Sequence, residues 1–152
     1  MANLIVKVQK HDFDIEKEIE NFKNNCQKIP GAISIFTGYV RDFSKNKKLT
    51  SMTIEHYEGM TENELIKISK KTIERWSLLG TLIVHRYGKL KIGDKIVLAA
   101  CASFHRKDAF EANQYLMDYL KTNAPFWKSE KINNKNEWVK ENQSDIEAIK
   151  KW

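Results

Sequence analysis

Apolar and polar residues alternate from Leu4 to Val8, the period of a strand with one covered face, and after Asp12 the period lengthens. Ile15, Ile19, Phe22 and Cys26 then recur at spacings of four and three, which predicts an amphipathic helix that Pro30-Gly31 ends. Ala32 to Val40, AISIFTGYV, is β-branched and aromatic, and reads as a largely buried strand. The polar stretch from Arg41 to Thr50, with Lys45, Lys47 and Lys48, reads as a mobile, basic loop. Ser51 to Tyr57 reads as another strand. Thr61 and Glu64 have the spacing of a capping box, in which a hydroxyl and a carboxylate satisfy free backbone N–H groups at a helix start. Leu65, Ile68, Thr72 and Trp76 line one face of the helix that follows.

Thr81 to Tyr87 and Lys95 to Ser103 read as two strands able to pair as a hairpin, with the polar turn Ile92-Gly93-Asp94 before the second. Ala109, Ala112, Leu116 and Leu120 predict a third helix from Asp108 to Asn123, terminated by Ala124-Pro125. Phe126 to Ile132 and Glu137 to Val139 flank the turn-rich Asn133-Asn134-Lys135-Asn136 and read as a hairpin. Ser144 and Glu147 have the spacing to cap a last short helix. About three amphipathic helices interleaved with hairpin-forming strands predict an α+β fold, one domain over 1–152, with a mixed or mainly antiparallel sheet. The glycine-rich spacing of a phosphate loop or dinucleotide fold is absent.

The length of 152 residues suits one core, so one site is expected and not a cofactor domain joined to a substrate domain. No apolar run of about 18 residues occurs, and MANLIVKVQKHDF lacks the basic-then-apolar pattern of a secretory signal, so the expected location is the cytoplasm. Cys26 and Cys101 lack metal-ligand or disulfide-framework spacing, and neither a metal nor a cofactor is expected. A net charge of +6 favours an anionic partner, which could be nucleic acid, a phosphate ester or an acidic protein surface.

Three segments could carry chemistry. Ser103-Phe104-His105-Arg106-Lys107 stands where a strand gives way to a helix, so His105 and Arg106 could hold a phosphate; a strand end followed by a solvated arginine explains the same letters. Lys121 and Lys128 flank a helix stop and the aromatic pair Phe126-Trp127, and apolar surroundings can free a lysine amine for proton transfer or attack. The helix dipole alone also accounts for Lys121. Gly38 interrupts Phe36-Thr37-Gly38-Tyr39-Val40-Arg41, which suits either close approach of a ligand or a bulge. His11, His56 and His85 are not spaced as metal ligands and read as strand residues with satisfied hydrogen bonds.

In this order, FTGYVR, IEHYEGM, HRYGKLKIGD, ASFHRKDAFEA and MDYLKTNAPFWKSE resemble the MoaE family, the large subunits of molybdopterin synthase, over roughly Gly31 to Asp145. The resemblance implies a hammerhead-like α+β fold and a sulfurtransferase that converts cyclic pyranopterin monophosphate into molybdopterin. The sulfur would come from a small ubiquitin-like carrier subunit ending in a Gly-Gly thiocarboxylate. A homodimer of large subunits, with one carrier at each end, is the implied assembly. By the same resemblance Lys121 and Lys128 are the catalytic residues, and Arg41, His105 and Arg106 hold the anionic substrate. Tyr39, Val40, Ser129 and Glu130 adjoin it. Tyr39 stands where some members carry lysine, and Asn142 where some contribute a basic residue across the dimer.

The chemistry of the residues agrees with that implication. A thiocarboxylate is already a nucleophile, so the protein needs no cysteine of its own; it must hold two anions together and move protons, and both tasks need cations. Two other classes compete: a nucleic-acid-binding module, suggested by the charge and by Trp127 and Trp138, and a carrier-binding scaffold without turnover, suggested by Tyr39 and Asn142.

Overall fold

The computed structural model describes every residue except Lys45 and Glu141, so the part of the predicted basic loop at Lys45 lies outside the described residues. One four-stranded sheet contains β1 (Asn3–Gln9), β6 (Gly80–Arg86), β8 (Lys95–Ser103) and β2 (Ala32–Tyr39), in that spatial order. The pair β1–β6 is parallel and the other two pairs are antiparallel. Alternation along β8 sends Ala99 and Cys101 to one face and Leu98, Ala100 and Ala102 to the other. The first face is covered by α2 (Met60–Trp76) and α3 (Arg106–Thr122) through Leu65, Ile68, Leu116 and Leu120. The second is covered by α1 (Ile15–Asn24) through Phe22.

A second, wholly antiparallel sheet has the order β10 (Lys135–Trp138), β9 (Phe126–Ile132), β5 (Ser51–His56), β7 (Gly88–Lys91). Its core joins Met52, Ile54 and Leu90 to Val40, Ile96 and Val97, and Phe126 packs against this cluster and the helical one alike. Phe126 is therefore the hinge pin between the two sheets. Asn133 and Asn134, both with positive φ (50° and 64°), form the two-residue turn of β9–β10, a conformation that asparagine tolerates and that matches strand twist.

The α+β class, the strands and the helical faces follow the sequence pattern. Several details differ. β2 is an edge strand, and Ile35, Phe36 and Tyr39 are 46%, 39% and 50% exposed, so it is not largely buried; composition reports strand propensity but not which side lacks a neighbour. The stretch after Arg41 includes a small hairpin, β3 (Phe43–Ser44) with β4 (Lys47–Lys48). β7 intervenes between the two strands read as a hairpin, although β6 and β8 do pair.

Helix starts also shift. Gly59 (φ 83°) is the cap of α2 and donates its N–H to Glu62 Oε2 at 2.7 Å, while Thr61 lies inside the helix and donates its hydroxyl to the Tyr57 carbonyl. α3 begins at Arg106. α4 (Gln143–Ile149) is capped by Asn142, whose side chain accepts from the Ser144 N–H, so α4 raises the helix count to four. No helix among the described residues is long and apolar enough to cross a membrane.

Candidate active site

Lys121 sits in the last turn of α3, and after the Ala124-Pro125 stop the chain re-enters as β9, which carries Lys128. The turn between them folds the two lysines toward each other. Along β9, Phe126, Lys128 and Glu130 share one face and Trp127 and Ser129 the other, because strand side chains alternate. Across the sheet the inner face continues into Ile54 and Met52, the partners of Lys128 and Glu130. Lys128 thus rises from an apolar floor.

Arg41, just past the end of β2, completes a group of three cations. Burial first, and then the charges of Lys121 and Arg41, pull the Lys128 ammonium down to about 8; Asp145 of α4 acts in the opposite direction. Among the described residues none of these three cations forms an ion pair, whereas Lys7, Lys95 and Arg86 do. Unneutralised cations crowded around a buried amine are destabilising alone and become favourable when an anion arrives.

Two histidines underlie this group. His85, at the end of β6, is 5% exposed and stacks on Phe126 at 3.7 Å and 13° between planes. Burial holds its ring down at about 3, against the opposing effect of its hydrogen bond to the Arg86 carbonyl; Lys128, Lys121 and His56 lower it further. His56, the β9 partner of Phe126, lies edge-on to Tyr87 at 4.4 Å. The sequence reading set both histidines aside as strand residues. The signal for His85 was its position directly after Leu82-Ile83-Val84, where an apolar residue would continue the strand.

The other predicted residues divide. Glu130 is 7% exposed, on the Lys128 face. It lines a cleft of about 220 Å³ with Lys47, Ile132, Glu137, Trp138, Val139 and Lys140. Ser129 points to the opposite face. Tyr39 is exposed beside Arg41, but Val40 is buried in the second core and spends its N–H on Asp94 and its carbonyl on Gly93, which makes it a packing residue. His105 and Arg106 are exposed at the other end of α3, roughly 22 Å from Lys121 at 1.5 Å per residue. One chain does not bring them to the lysines. A larger hollow of about 510 Å³ at the start of α1 is lined by Asp12, Asp14 and Glu16 with Lys95, the wrong charge for an anion.

Comparison with known proteins gives a consistent result. The family model described as MoaE protein matches residues 8–123. A molybdopterin synthase catalytic subunit from Brucella melitensis is 45% identical over 151 residues, 98% of this chain and 91% of that protein. A molybdopterin biosynthesis MoaE protein of known structure from Burkholderia ambifaria superposes with a TM-score of 0.82 at 39% identity, covering 100% of this chain and 98% of the other. A chain from the complex of subunits 1 and 2 of molybdopterin-converting factor of Helicobacter pylori superposes with a TM-score of 0.72 at 26% identity, covering 90% of this chain and 91% of that one.

Proposed function

The chain belongs to the MoaE family, and from that premise we propose that it is the catalytic subunit of a molybdopterin synthase, transferring sulfur from a small carrier's C-terminal thiocarboxylate to cyclic pyranopterin monophosphate. The observation that carries this reading at the level of the site is the unpaired triad Arg41, Lys121 and Lys128 around an apolar floor. Both reactants are anions, and three cations allow them to approach each other. In each round the thiocarboxylate sulfur attacks a substrate carbon. Water then cleaves the acyl–sulfur bond, leaving sulfur on the substrate and a carboxylate on the carrier. Two rounds supply the dithiolene.

Lys128, with its amine free in appreciable amount near neutral pH, is suited to proton transfer, and the more exposed Lys121 to holding the carrier's terminal carboxyl group. Glu130 and the cleft beside β10 offer an extended tail a path to Lys128. His105 and Arg106 serve the substrate phosphate from a second copy of the chain. Supporting this assembly are their distance from Lys121 and the exposed apolar set Ile35, Phe36, Phe104 and Phe110 on β2 and around the start of α3. We place the chemistry in the cytoplasm, where the free Cys26 and Cys101 stay reduced.

The test is direct. The purified protein, mixed with thiocarboxylated carrier and cyclic pyranopterin monophosphate, should yield molybdopterin. A folded, carrier-bound protein that forms none would refute the assignment and leave a scaffold.

A further inference from the structure

His85 is buried beside the lysine pair and unused by the chemistry above. Packing at its position would be served by leucine or phenylalanine, without the cost of burying a polar ring. Its Nδ1 lies 2.8 Å from the Arg86 carbonyl oxygen. That oxygen has no proton to give, so Nδ1–H donates, and in the neutral ring Nε2 is a bare acceptor. Among the described residues nothing donates to Nε2. The stack on Phe126 fixes the ring plane, and Phe126 and Lys128, two apart on β9, project from the same face. The positive charges of Lys128 and Lys121 both act on the ring. A nine-tenths-buried acceptor without a donor therefore stands next to two ammonium groups rich in donors.

We infer that His85 is a positioning residue for Lys128: Nε2 accepts an N–H of the Lys128 ammonium and thereby directs the amine toward Lys121 and the arriving thiocarboxylate. The inference rests on the sulfur-transfer reading. Its effect on titration is opposite to that of the surroundings, because an acceptor for the charged form favours that form. The groups acting on Lys128 are Lys121 from α3, Arg41 beyond β2 and Asp145 from α4, with Glu130 on its own strand; His56 from β5 faces His85. His85 itself stays neutral throughout the range in which Lys128 titrates.

Three substitutions separate the atoms of the ring. His85→Phe keeps the stack and removes both nitrogens, His85→Asn can reproduce only the Nδ1–H donor, and His85→Gln offers a carbonyl oxygen near the place of Nε2. Competitive labelling with trace acetic anhydride, read by mass spectrometry on the Lys128 peptide across pH, reports the lysine without carrier or substrate. The labelling midpoint should fall by about one unit or more in the Phe and Asn variants, the scale of a lost hydrogen bond to a charged group. It should stay near the parent value in the Gln variant. Single-turnover sulfur transfer should follow the same order, with at least about a tenfold loss in the Phe and Asn variants and an unchanged KM for the carrier. If His85→Phe does not fold, Asn against Gln decides. Equal midpoints and equal rates for Gln and Asn, or a parent midpoint in all three, would overturn the inference. A parent protein that labels as expected but transfers no sulfur would instead sink the functional reading.

Discussion

Replacing Lys128 by methionine should make the protein more stable and inactive at once. The side chain is nearly isosteric in its apolar part, so the perturbation removes a charge from an apolar floor and little else. The drop from the ordinary lysine value of 10.5 to about 8 sets the scale. At 1.36 kcal/mol per pH unit it corresponds to at most ~3 kcal/mol of destabilisation by the charged lysine at neutral pH. Lys128 keeps some access to water, so about 1–2 kcal/mol is the expected gain, or roughly 2–8 °C in Tm for a chain of this size. The sign follows from proton counting. Between about 8 and 10.5 the unfolded chain binds a proton that the folded chain has released, so parent stability rises with pH through that window. Lys128→Met lacks the rise, and its advantage should shrink toward pH 10.5. Urea denaturation at pH 7 and pH 10, at one fixed protein concentration because assembly adds to stability, measures both quantities. A variant no more stable than the parent at pH 7, or a parent curve that does not gain on it by pH 10, would refute the reasoning.

Lys121→Ala, at an exposed helix end, should cost at least about a hundredfold in molybdopterin formation while leaving the thermal midpoint unchanged; full activity would remove it from the site. In Gly31→Ala the new Cβ would meet the Phe104 carbonyl, backbone that cannot yield, and urea denaturation should show a loss of about 1–3 kcal/mol. Leu116→Ala, fully buried between α3 and the first sheet, should lose roughly 3 kcal/mol by the same measurement, with unchanged turnover per folded molecule.

Legibility differed by scale. The faces of α2 and α3 and the inward set of β8 were readable because burial imposes a period on the letters. Asn133-Asn134 was readable because its turn demands positive φ. Helix starts were not: the Thr61–Glu64 spacing matched a capping box, but the carboxylate that caps α2 is Glu62, and the choice depends on the turn leaving β5. Exposure of β2 could not be read, since the absence of a neighbouring strand is a property of topology. In the site, Lys121 and Lys128 were visible from the apolar letters around them. His85 and Asp145 were not, because their approach to Lys128 depends on how β6 and α4 pack around β9.

The length of α3 has a genetic meaning. With Lys121 at one end and His105 and Arg106 at the other, a paired molecule holds two sites, each assembled from opposite ends of two different helices. Two alleles damaged at opposite ends would each be null alone. Expressed together, they would form mixed pairs in which one site carries both lesions and the other carries neither. Inheritance at this locus would then show complementation within a single gene, and the unit on which selection acts would be the pair.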